Sequence, residues 1–110
     1  MTDTFTPQLY LISPEKIDLT SFAKELKDAL VEGNVAAFQL RLPAASSDDL
    51  KKTITTLGPI CTDNDVAFIL CDDVAMAKDL KCDGVHLETD CSVQNLKAAR
   101  KMLGDDAFIG

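Results

Sequence analysis

Five short apolar runs alternate with four longer amphipathic stretches along this chain, and that alternation limits the fold more than any other feature. The runs are Leu9–Ile12, Val35–Arg41, Val66–Leu70, Gly84–Leu87 and Ala107-Phe108-Ile109-Gly110. Between the first two, Leu19, Phe22, Ala23, Leu26, Ala29 and Leu30 recur at three- and four-residue steps and make one helix face. Asp18 is placed to cap that helix, and Gly33 stands where a left-handed terminating residue is wanted. Ser46, Ser47, Asp48 and Asp49 supply caps and negative charge for a second helix, with Leu50, Ile54 and Leu57 on its buried face and Gly58-Pro59 as its expected end. A short helix is expected from about Asp73 to Leu80, and Ser92 opens a last one whose apolar face is Val93, Leu96, Ala99 and Leu103. Strands alternating with helices at this spacing mean parallel strands joined by right-handed crossovers.

The alternation fits two architectures. One is an open flavodoxin-like sheet, which also admits a receiver-like signalling domain. The other is the amino-terminal (βα)4β half of a TIM (β/α)8 barrel, a fold that normally takes about 250 residues. The 110 residues read as a single α/β domain, residues 1–110, without a linker or a repeat. Under the barrel reading that domain is incomplete. Its strand edges and inner face then lack cover, so self-association or a longer parent chain is expected.

Bulk properties narrow the partners. The formal charge is −7, and the eleven basic residues are scattered, so no phosphate-backbone stripe exists and nucleic acid is excluded as a partner. No apolar run approaches the roughly 20 residues of a membrane span. The start, MTDTFTPQ, has neither the basic flank nor the apolar core of a secretory signal, so a cytoplasmic location is expected. Cysteines 61, 71, 82 and 91 lack CxxC spacing, which suits unpaired thiols in a reducing compartment.

In parallel α/β folds chemistry gathers at the carboxyl ends of the strands, and three of the runs end in polar groups. Gln39 and Arg41 share one face at the end of the second. A guanidinium there demands an anion, either a ligand phosphate or one of the protein's own carboxylates. The third run ends in Cys71-Asp72-Asp73, where an aspartate serves as a Mg²⁺ ligand or as the cap of the next helix. In the fourth, His86 shares a face with Gly84, and a lone histidine among apolar neighbours is either a core residue or a ligand contact.

Taken together, Leu9-Tyr10-Leu11-Ile12, Gln39-Leu40-Arg41, Asp83-Gly84-Val85-His86-Leu87, Ala99-Arg100-Lys101-Met102-Leu103-Gly104 and Phe108-Ile109-Gly110 resemble the first half of the thiamine-phosphate synthase and thiazole-tautomerase-like family. The resemblance implies a Mg²⁺-dependent transferase of thiamine biosynthesis (thiamine-phosphate pyrophosphorylase) that joins a pyrimidine-methyl pyrophosphate to thiazole phosphate and releases pyrophosphate. It implies pyrophosphate binding by Gln39, Arg41, Cys71 and His86, and metal binding by Asp72 and Asp90. It implies phosphorylated small molecules as partners and a half-length chain inactive by itself. The chain departs from the family pattern at Pro43, Cys71 and Cys91, where Lys, Asn and Asp are usual. Those departures keep open a catalytically degenerate or tautomerase-like relative that only binds a phosphorylated ligand.

Overall fold

The computed structural model describes residues 9–32, 34–87, 93–104 and 107–109. Its elements run β1 (Leu9–Ile12), α1 (Leu19–Val31), β2 (Val35–Leu40), α2 (Ser47–Asp63), β3 (Ala67–Cys71), α3 (Val74–Asp79), β4 (Gly84–His86), α4 (Val93–Leu103) and β5 (Phe108–Ile109). All four strand pairings are parallel, and the sheet order is β1-β2-β3-β4-β5. That order overturns the flavodoxin-like and receiver-like alternatives, in which the strand order must reverse at a switch point. Strands that step one way around a sheet are the (βα)4β succession of half a (β/α)8 barrel.

Register assigns each side chain to a face, because paired residues in neighbouring strands point to the same side. Leu11, Phe38, Phe68, Leu70, Val85 and Ile109 face the helices and belong to the core or pack against it. The rings of Phe22, Phe38 and Phe68 form a chain with centroids 5.9 and 5.8 Å apart. Tyr10, Ile12, Ala37, Gln39, Ile69, Cys71, Gly84, His86 and Phe108 occupy the opposite face. On that face Tyr10 and Phe108, near the two sheet edges, are 51% and 61% exposed.

The helix starts follow the sequence reading. Asp18 accepts from the Thr20 N–H at 3.2 Å, and Ser46 Oγ accepts from the Asp49 N–H at 3.2 Å. Asp73 caps α3 by accepting from the Met76 N–H at 3.0 Å. Two helical expectations are corrected. Ala29 is exposed, at the flank of the α1 stripe, where Leu26 and Leu30 carry the burial. Gly58-Pro59 does not end α2, which continues to Asp63 with Pro59 inside it. The buried series Ile54, Leu57 and Cys61 keeps its three- and four-residue steps past the proline, and burial of Cys61 outweighs one missing N–H.

Helix ends share one device. Asn34, Asp65 and Lys81 follow α1, α2 and α3 with φ of 65°, 56° and 58°, and Gly104 follows α4 with φ 89°. Left-handed residues of this kind close helices and return the chain to the sheet. Gly33, Ser92 and the expected continuation of β5 at Gly110 lie outside the described residues.

Candidate functional site

The carboxyl end of β2 is fastened to the loop after β1 by one residue. The buried Ser13 donates its N–H to the Gln39 carbonyl at 2.9 Å. Its Oγ accepts from the Arg41 N–H at 2.9 Å and donates to the Arg41 carbonyl at 3.4 Å. The strand ends at Leu40, so Arg41 stands one position beyond the ladder, with its backbone held in place. Its guanidinium is 31% exposed and reaches Glu15, Nη1 to Oε1 at 2.8 Å. Of the two anions that the sequence allowed, one of the protein's own carboxylates is present.

Arg41 lines a cavity of about 760 Å³ at the carboxyl ends of β2 and β3, together with Pro43, Leu50, Cys71, Asp72 and Asp73. The two aspartates divide their work. Asp73 spends its carboxylate on the α3 cap. Asp72 is exposed and sits at φ 66°, with its N–H donating to the His86 carbonyl at 2.8 Å. Among the described residues it is the one non-glycine left-handed residue that follows a strand directly; the others follow helices. Such a conformation costs an L-residue roughly 1–2 kcal/mol, least for Asp and Asn, and here it turns the chain at the cavity wall.

The structure therefore brings together Arg41, Cys71 and Asp72. It does not bring Gln39 to the same wall. Gln39 is 2% exposed and donates from Nε2 to the Tyr10 hydroxyl at 3.2 Å, one layer down the inner face. His86 is half-buried and lines a separate depression of about 310 Å³ with Tyr10, Ile69 and Phe108. Register nevertheless pairs it with Cys71 across β3 and β4. Asp90, the second expected metal ligand, and Cys91 lie outside the described residues.

Sequence reasoning missed Ser13, Glu15 and Tyr10. A signal for Ser13 existed, since it ends an apolar run in the position that Arg41 and Asp72 hold in theirs. The Glu15 and Tyr10 partnerships span 26 and 29 residues, and no local pattern encodes them.

The donor set suits a hard cation in kind. Asp72 offers an exposed carboxylate on the cavity wall, and Mg²⁺ takes one or two such groups with phosphates and water. Among the described residues, no group of three or more His, Cys, Asp or Glu side chains is arranged to hold a metal by itself. The thiols elsewhere are chemically quiet. Burial, and then the charge of Asp83, push Cys61 up to about 12 and Cys82 up to about 11. Among the described residues, Cys61, Cys71 and Cys82 form no disulfide. No helix among the described residues is long and apolar enough to cross a membrane.

Comparison with known proteins agrees with the strand order. Thiamine-phosphate synthase of Rhodospirillum centenum is 39% identical over 110 residues, covering 100% of this chain and 51% of its own length. The thiamine-phosphate synthase of Erythrobacter litoralis is 42% identical over 114 residues, covering 100% of this chain and 52% of its own. A solved thiamine phosphate pyrophosphorylase from Pyrococcus furiosus superposes with a TM-score of 0.75 at 25% identity, covering 94% of this chain and 48% of that one. The chain thus spans about half the length of the relatives it matches. The profile of the thiamine monophosphate synthase family matches residues 9–110, and the chain belongs to that family.

Proposed function

We propose that residues 1–110 form one α/β domain that supplies the pyrophosphate-binding half of a thiamine-phosphate synthase-type transferase. The observation that carries this reading is the shared cavity of Arg41 and Asp72 at the carboxyl ends of β2 and β3. The reaction joins a pyrimidine-methyl pyrophosphate to the ring nitrogen of a thiazole phosphate as pyrophosphate departs. Bound Mg²⁺ supplies charge neutralisation at the leaving oxygens. In this chain Asp72 holds the cation, and the planar fork of Arg41 grips the phosphate oxygens and stabilises the charge that develops on them. Cys71 lines the same wall. Gln39 and His86 act from the inner face, with Gln39 oriented by Tyr10.

The inner face, exposed at Tyr10, Ile12 and Phe108, and the edges at β1 and β5 are covered in the working protein by further strands, from a longer parent chain or a second copy. These 110 residues alone complete no turnover. Thiols that form no disulfide among the described residues suit the reducing cytoplasm.

Calorimetry with pyrophosphate, with and without Mg²⁺, tests the reading. Binding that needs Mg²⁺ and is lost in both Arg41→Ala and Asp72→Ala supports it, whereas binding indifferent to both substitutions refutes it. A second reading rests on Pro43, which lines the same cavity where the family usually carries Lys. That replacement leaves less positive charge at the leaving group and favours a relative that binds a phosphorylated ligand without synthesis. Arg41-dependent binding that ignores Mg²⁺ would select it.

A further inference from the structure

The loop between β1 and α1 carries a carboxylate that the functional reading leaves unused. Glu15 is 66% exposed at its side chain, yet it lies 2.8 Å from the guanidinium on which the anion grip depends. Its approach is prepared by the backbone. Two residues earlier, Ser13 ties the loop to β2 through the Gln39 carbonyl and the Arg41 N–H, each at 2.9 Å. Those bonds hold the loop without any help from the ion pair.

We propose that Glu15 is a displaceable internal counter-ion for Arg41, holding the guanidinium until an anionic ligand takes its place and so setting the affinity of the cavity. The inference rests on the functional reading above. An exposed carboxylate–guanidinium pair shifts an equilibrium by at most about fivefold. A polyphosphate presents several charged oxygens to the same planar fork and outcompetes a single carboxylate. The displaced side chain has somewhere to go. Glu15 also lines a groove of about 440 Å³, whose wall includes Lys16, Asp49 and Lys52. That groove, of mixed charge, gives the released carboxylate room away from the guanidinium.

The test is pyrophosphate titration calorimetry on the wild-type chain, Glu15→Gln, Arg41→Ala, and Glu25→Gln as a charge-matched control on the exposed face of α1. Circular dichroism confirms that each variant is folded. Glu15→Gln is expected to bind two- to fivefold more tightly than wild type, with a gain that shrinks as salt is raised. The control should leave affinity unchanged. Equal or weaker binding by Glu15→Gln overturns the inference, while wild-type binding lost in Arg41→Ala leaves the functional reading standing. An equal gain in Glu25→Gln also overturns it, since net charge alone would then account for the effect. Failure of wild type and Glu15→Gln alike to bind pyrophosphate overturns the functional reading and the counter-ion with it.

Discussion

The two rims of this sheet are built from similar residues and behave differently. At the amino rim the polar groups are spent on the chain itself. Asp83 accepts from the Phe68 N–H at 2.7 Å, and Arg100 donates to the carbonyls of Gly104 and Ala107 at 2.9 and 2.7 Å. Left-handed residues there end helices, and the nearby Cys61 and Cys82 are held protonated by burial and by Asp83. At the carboxyl rim Arg41, Cys71 and Asp72 face a cavity, and the guanidinium pairs with the exposed carboxylate of Glu15. The left-handed residue at that rim, Asp72, closes no helix. Polar groups locked into backbone bonds hold a fold; those at the carboxyl rim line a cavity instead.

Substitutions at the amino rim should therefore cost stability and spare binding. The largest effect is expected at Gly84, the first residue of β4. A Cβ there would lie 2.7 Å from the Phe108 Cβ and closer still to the Phe108 carbonyl. Gly84→Ala should lower stability by about 1–3 kcal/mol through overpacking and loosen β5, read as a fall in melting temperature. Next comes Asp83→Ala, which strips the Phe68 N–H of its acceptor and should cost about 1–2 kcal/mol by urea titration. Neither change should move pyrophosphate affinity beyond error. A loss of affinity in either would erase the division between the rims.

The thiols sharpen the same contrast through pH. Folding raises Cys61 to about 12 and Cys82 to about 11 from an ordinary 9.0, so the unfolded chain releases these protons first. Their contribution to stability is whole below about pH 9 and is lost as the pH rises through about 11 to 12. Denaturation midpoints measured from pH 8 upward should fall in that window. Iodoacetamide at pH 8 should modify Cys61 and Cys82 only when the protein unfolds.

How much of this was legible in the sequence follows from how local each feature is. Helix caps at Asp18, Ser46 and Asp73 are local, and so is the parity that puts Gln39 and Arg41 on one face. Strand order is not local, since periodicity gives the same pattern for an open sheet and a barrel. The proline in α2 misled because its local cost is real, yet the buried face continues beyond Leu57 to Cys61. The Arg41–Glu15 and Gln39–Tyr10 partnerships depend on β1 lying beside β2, which only the folded sheet provides. Asp72 was legible as a polar strand end; its left-handed backbone was not, because aspartate suits caps, turns and metals alike.

The smallest expected effects compare the left-handed residues themselves. Lys81→Gly at the amino rim should raise stability by up to about 1 kcal/mol and leave binding alone. Asp72→Gly should bring a smaller gain, since aspartate tolerates this backbone better, while weakening Mg²⁺-dependent pyrophosphate binding more than it alters the melting temperature. Equal binding losses in the two variants would mean that the rims do not differ in function.

The central claim is that Arg41 and Asp72 meet one ligand together, the guanidinium directly and the carboxylate through the cation. A double-mutant cycle of Arg41→Ala and Asp72→Ala on pyrophosphate affinity in Mg²⁺ measures that joint engagement. The account predicts a coupling of about 1 kcal/mol or more, falling towards zero when Mg²⁺ is omitted. Losses that add within about 0.5 kcal/mol in Mg²⁺, as for independent sites, would contradict it.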